Sequence, residues 1–180
     1  PTIINYAKNY IDSYELRNDS RALTRNTYNI TTQYYGDNRY FSKVWIQFFL
    51  DDVIPENAVI RSAILHMRKT DRYSSGTNVS DLVVRQVKND LSEEGSFVGK
   101  LCDNSIYTDI IGTEIKESYE SYTIDVTDTI RNTDYRTKGI LFEVADSDSD
   151  EFTFIIFSAY VDSIKYRPYL DVDYYIPEEF

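Results

Sequence analysis

Lys43-Val44-Trp45-Ile46-Gln47-Phe48-Phe49-Leu50 is the stretch on which the fold turns. Val44, Ile46, Phe48 and Leu50 fall on one side of a period of two, and Lys43, Trp45, Gln47 and Phe49 on the other. Side chains alternate between opposite faces of an extended chain, so this pattern predicts a strand with one face in a core. An Ile54-Pro55 turn follows, and then Arg61 to Met67 alternates again, with Ala63, Leu65 and Met67 opposed to Ser62, Ile64 and His66.

The same period recurs downstream. Leu82 to Val87 is a short apolar run with such residues on both faces. Tyr122, Ile124 and Val126 alternate with Thr123 and Asp125, and Ile140, Phe142 and Val144 with Leu141 and Glu143. Phe152, Phe154 and Ile156 oppose Thr153, Ile155 and Phe157, while Leu170, Val172 and Tyr174 oppose Tyr169, Asp171 and Asp173. Upstream, Tyr10, Asp12 and Tyr14 against Ile11 and Ser13 suggest one further strand. Helical patterning is confined to one turn at Asp128 to Asn132, opened by an aspartate cap. Many short strands, polar turns and almost no helix predict an all-β fold: a two-sheet antiparallel β-sandwich, with jelly-roll order preferred. Phe48, Leu65, Val126, Phe142, Phe154 and Val172 are the expected core.

Residues 1–180 read as a single β-sandwich domain, with no repeat, low-complexity tract or linker. A chain of this length buries about 70% of its unfolded surface and needs no disulfide framework. Cys102, the one cysteine, reads as a small packed or loop residue. The net charge of −11 opposes nucleic-acid binding, which depends on clustered Lys and Arg, and opposes anionic membranes and polysaccharides as well. No apolar run reaches the length of a membrane span, and the opening Pro1 to Tyr6 lacks the pattern of a signal peptide. A leading Pro1 fits a product that has lost its initiator Met and equally a mature chain after cleavage.

Four phrases carry a resemblance. They are Ser42 to Phe48, Ile54 to Leu65, Asp125-Val126-Thr127-Asp128, and Arg167-Pro168-Tyr169-Leu170-Asp171-Val172-Asp173-Tyr174. In order and spacing, with Gly139-Ile140-Leu141 between the last two, they resemble the DNRLRE domain, which is similar to an alginate-binding carbohydrate-module family. The resemblance spans roughly residues 7 to 175 and implies a β-sandwich module of surface-exposed or extracellular proteins. Relatives carry a Trp-x-Glu stretch before a second Trp in the middle loop. Leu91 to Phe97 has Leu and Phe there, so a ligand loop of that kind is not carried over.

Candidate sites follow from residue chemistry. Asp146, Asp148 and Asp150, with Glu151 behind them, sit between two strong strands, and alternating carboxylates in a loop can ligate Ca²⁺. The run lacks the glycine and distant Glu of an EF-hand, and the reading preferred is a solvated hairpin loop with no metal or other cofactor. His66, the only histidine, falls on a solvent face, and no nucleophile elbow or phosphate loop is present, so no catalytic residue is expected. Seventeen Tyr and 9 Phe against one Trp leave aromatic surface as the better lead. Trp45, Phe49, Tyr166, Tyr169 and Tyr175 lie opposite the inferred core or near strand ends, where rings anchor protein interfaces and stack on sugars.

These features predict a non-catalytic structural or binding sandwich displayed on a surface, foremost a virion component such as a capsid decoration or appendage. Its partners would be other proteins of the same assembly. The alternative is an extracellular glycan-binding module of a larger surface or polysaccharide-acting system.

Overall fold

The computed structural model describes residues 2–5, 10–17, 20–23, 27–35, 38–48, 50, 53–69, 82–88, 107–110, 115–118, 121–144, 152–157 and 168–177. Side chains are described for 46–48, 50, 53–69, 83–88, 115–118, 121–142 and 168–177. Within them the chain forms β1 (Thr2–Asn5), β2 (Tyr10–Arg17), β3 (Ser20–Leu23), β4 (Thr27–Tyr35), β5 (Asn38–Phe48), β6 (Val59–Arg68) and β7 (Leu82–Val87). There follow β8 (Tyr107–Ile110), β9 (Lys116–Glu117), β10 (Ser121–Asp125), α1 (Thr127–Arg131), β11 (Ile140–Val144), β12 (Phe152–Phe157) and β13 (Tyr169–Tyr175).

The strands make two sheets in which every pairing is antiparallel. One runs β1-β13-β6-β10-β9, and the other β12-β4-β5-β11-β7-β8 with β2 and β3 attached beside β5. Its frame is β1-β13-β6-β10 facing β5-β11-β7-β8, which sets the first strand beside the last and the second beside the second-last. That interleaving is the jelly-roll order of two Greek keys.

The core lies between the sheets. Ile46, Phe48, Leu50, Ala63, Leu65, Met67, Ile124, Val126, Phe142, Leu170 and Val172 are buried in one cluster, each on the face its alternation assigns. Each large member contributes about 1.5–3 kcal/mol by leaving water. Phe48, Leu65, Val126, Phe142 and Val172 thus occupy their expected place, whereas the side chain of Phe154 lies outside the described residues.

The phrases singled out in the sequence meet at the joints between sheets. Leaving β5, the backbone N–H groups of Val53 and Ile54 donate to the Leu50 carbonyl, and Ala58 N–H donates to Pro55 O, 3.0 Å away. The turn that crosses to β6 is therefore short, and Ile54 drops into the core. At the end of β10, Val126 N–H donates to Ala63 O at 2.9 Å, and Ala63 N–H donates to Thr127 Oγ1 at 3.0 Å. The Thr127 hydroxyl in turn donates to Asp125 Oδ1, which also accepts Thr127 N–H. A threonine side chain here takes over from the ladder where the strand stops.

The helical turn differs from its expected form. It spans Thr127–Arg131 with Val126 at the N-cap and no side-chain cap bond, so Asp128 is a first-turn acid and the aspartate that satisfies backbone is Asp125. From the other end, Arg131 Nε donates to Ile60 O at 2.9 Å and its Nη2 to Arg61 O at 3.2 Å. These carbonyls belong to a shift in register between β6 and β13, where Asp173 opposes Ser62 but Tyr174 opposes Ile60. Arg61 is the extra residue of that bulge, and Arg131 holds the carbonyls beside it.

Residues 132–138 then fold over the outer face of the larger sheet. Asn132 Oδ1 accepts the N–H groups of Asp134 and Tyr135, and Thr137 O accepts Gln47 Nε2. Gly139 closes the loop at φ 101°, a conformation costly for any residue with a Cβ, and its carbonyl accepts Val87 N–H. Gln47, on the face opposite the core, is consequently only 6% exposed.

Candidate binding surface

The outer face of the five-stranded sheet collects the aromatic and charged side chains that the core excludes. Along β13, Leu170, Val172 and Tyr174 point inward, so Tyr169, Asp171, Asp173 and Tyr175 stand on the outer face. β6 runs beside it, with His66 opposite Tyr169, Ile64 opposite Asp171, Ser62 opposite Asp173 and Val59 opposite Tyr175. β10 adds Thr123 opposite His66 and Asp125 opposite Ile64.

Two of the carboxylates are paired within this face. Arg61 Nη2 donates to both oxygens of Asp173 at 2.8 Å. His66 Nε2 lies 2.9 Å from Asp171 Oδ2, and its ring stacks on Tyr169 with centroids 4.4 Å apart and planes 9° from parallel. A carboxylate on one nitrogen and a phenol ring against its face make His66 a clamp between two strands. Burial pushes the Tyr169 hydroxyl above the usual phenol range, the Asp171 charge adds to this, and Arg68 partly opposes it. Asp125 is held below the usual carboxylate range, chiefly by the Thr127 hydroxyl, then by Thr127 N–H, with Lys116 and Arg131 assisting.

One end of the face is apolar. Val59 is 40% exposed and its cross-strand partner Tyr175 43%; Ile176, which follows beyond the end of β13, is 50% exposed. Large hydrophobic side chains left in water beside one another mark a contact surface more often than scattered single ones do.

The sequence-derived candidates divide accordingly. Tyr169 and Tyr175 come together on this face, one half-buried against His66 and the other exposed. Trp45 is placed by backbone only, on β5 opposite Tyr14 of β2 and Leu141 of β11. Leu141, its neighbour in that register, is 0% exposed although it lies outside the cluster between the sheets. Phe49, Tyr166, Asp146, Asp148 and Asp150 lie outside the described residues. Among the described residues, no group of three or more His, Cys, Asp or Glu is placed to hold a metal ion. Nor is any helix there long and apolar enough to cross a membrane.

Sequence reasoning passed over Val59, Ile176, Arg61, Asp171 and Asp173. The carboxylates were within reach, since their alternation with Leu170 and Val172 fixes their face. Val59 was not, because the bulge at Arg61 reverses the period of β6.

No model of a known protein family matches the chain, and no curated protein matches it in sequence.

Proposed function

We propose that this chain is a non-catalytic binding sandwich that docks, through the outer face of its five-stranded sheet, onto another protein of the assembly to which it belongs. The observation that carries the reading is the exposed cross-strand pair Val59 and Tyr175, with exposed Ile176 just past the strand end, continued along β13 by two carboxylates already paired to Arg61 and His66. Such a surface offers an apolar, aromatic anchor at one end and charges that bring their own partners, the composition of a protein interface with a polar rim. A virion surface is the favoured setting, on the acidic single-domain character of the chain and its resemblance to surface-displayed sandwiches.

Cosedimentation with purified shells of the parent particle tests this. Tyr175→Ala and Ile176→Asp should each weaken binding at least roughly tenfold, the loss of one interface anchor, while leaving unfolding unchanged. Undiminished binding by both variants would move the contact elsewhere.

The stacked His66–Tyr169 pair beside Asp171 favours one second reading, a neutral glycan held by ring edges and a carboxylate. Titration with neutral oligosaccharides separates the two: Tyr169→Ala should abolish glycan binding, whereas shell binding depends on Tyr175.

A further inference from the structure

Among the described residues the larger sheet ends on β12, whose partner there is β4. An edge strand offers a row of backbone N–H and C=O groups to any extended chain that fits, and proteins blunt such edges with charge, proline, bulges or short length. The other edges among the described residues carry those devices. β9 is two residues, Lys116–Glu117. β8 contains Asp109, β3 contains Arg21, and β1 spans only Thr2–Asn5. β12 has none of them. It runs six residues, Phe-Thr-Phe-Ile-Ile-Phe, uncharged and without proline or glycine, in unbroken register with β4 from Phe152 to Phe157.

We propose that β12 is the seam of a homodimer, in which the β12 of a second copy adds antiparallel and the larger sheet runs through both molecules. Three observations select a second copy as the occupant. First, the strand is complementary to itself. Twofold antiparallel pairing in a continuous sheet sets residues of like parity opposite one another. Centred on Phe154 it places Phe154 against Phe154, Phe152 against Ile156 and Thr153 against Ile155. Aromatic and β-branched residues at such positions favour the pairing.

Second, the net charge of −11 opposes contact between copies over most of the surface, and this seam lets them meet without adding to that repulsion, because no pair in it includes a charge. Third, the acidic run Asp146 to Glu151 that precedes the strand sets the direction. Parallel pairing would begin with the two runs side by side, whereas antiparallel pairing sends them to opposite ends. Each copy uses this same edge in a twofold contact, so the assembly closes as a dimer and does not grow into a fibre.

The test is sedimentation equilibrium of the whole chain from low to high micromolar concentration, beside Thr153→Lys. That substitution charges the one polar position of the strand. The wild type should be a dimer, and the variant should associate at least roughly tenfold more weakly, because a lysine on an edge strand blocks edge-to-edge pairing. Circular dichroism of the variant should be unchanged. Amide exchange across 152–157 in the wild type gives a readout that needs no variant, and it should slow as concentration rises through the dimerisation range. A chain that stays monomeric throughout overturns the proposal. So does a dimer that Thr153→Lys leaves intact, or exchange across 152–157 that is independent of concentration.

Discussion

Thr127→Val removes one oxygen and keeps the shape of the side chain, so it isolates the joint where β10 hands over to α1. The Thr127 hydroxyl accepts Ala63 N–H at 3.0 Å, and Ala63 is 0% exposed. Water cannot replace the lost acceptor without opening the pairing that Val126 N–H makes to Ala63 O. A buried donor left without a partner costs about 1–3 kcal/mol. The second loss, the hydroxyl bond to Asp125, adds little, because Asp125 is exposed and water can replace that donor. The expected total of about 2 kcal/mol corresponds, for a chain of this size, to a fall in Tm of about 4–8 °C.

Urea unfolding followed by fluorescence of Trp45, the only tryptophan, measures it at pH 7. Thr127→Ser keeps the oxygen and should recover most of the loss. The two should also differ in acid. A carboxyl whose folded pKa is depressed gives stability above its unfolded value, about 3.9, and loses it as pH falls through the lower folded value. Asp125 owes its depression first to Thr127, so the valine variant should lose less on acidification than the serine variant. A cost below about 0.5 kcal/mol for valine, inside the range of ordinary surface changes, would refute the reasoning. Equal costs for valine and serine would refute it too.

Gly139→Ala places a Cβ at φ 101° and should cost about 1–3 kcal/mol, read as a shift of the urea midpoint with unchanged slope. Tyr122 is buried, with Glu117 nearby, and its hydroxyl is pushed up to about 12, by burial first and by the Glu117 charge second. The fold thus favours the neutral phenol: its contribution is complete below about pH 10 and is lost as pH rises towards the folded value. Tyr122→Phe should flatten that alkaline limb in stability measured from pH 9 to 12, and an unchanged limb would assign it to other groups.

The strands most legible in the sequence are those that are compact apolar runs. β7, β11 and β12 run between the residues that alternation marks, at both ends. β4, Thr-Tyr-Asn-Ile-Thr-Thr-Gln-Tyr-Tyr, is mostly polar and gives no such signal, and β1, β3, β8 and β9 are too short to show a period. For the candidate surface, alternation along β13 set Tyr169 and Tyr175 on one face. It could not give their neighbours, because the pairing of β13 with β6 joins residues a hundred positions apart. The burial of Gln47 has the same cause: its cover comes from residues 132–138, brought over the sheet by a glycine-closed loop. The Asp-Val-Thr phrase and Ala63 looked like separate landmarks in the sequence and are two halves of one joint.

Docking through the outer face of the five-stranded sheet, as proposed, is tested most directly by amide exchange compared between the protein alone and the protein mixed with purified particle shells. Protection on binding should centre on β13 and the start of β6, in peptides covering 169–176 and 59–66, and should fade when Ile176→Asp weakens the complex. Protection confined to other peptides, with these two segments exchanging as in the free chain, would contradict the account.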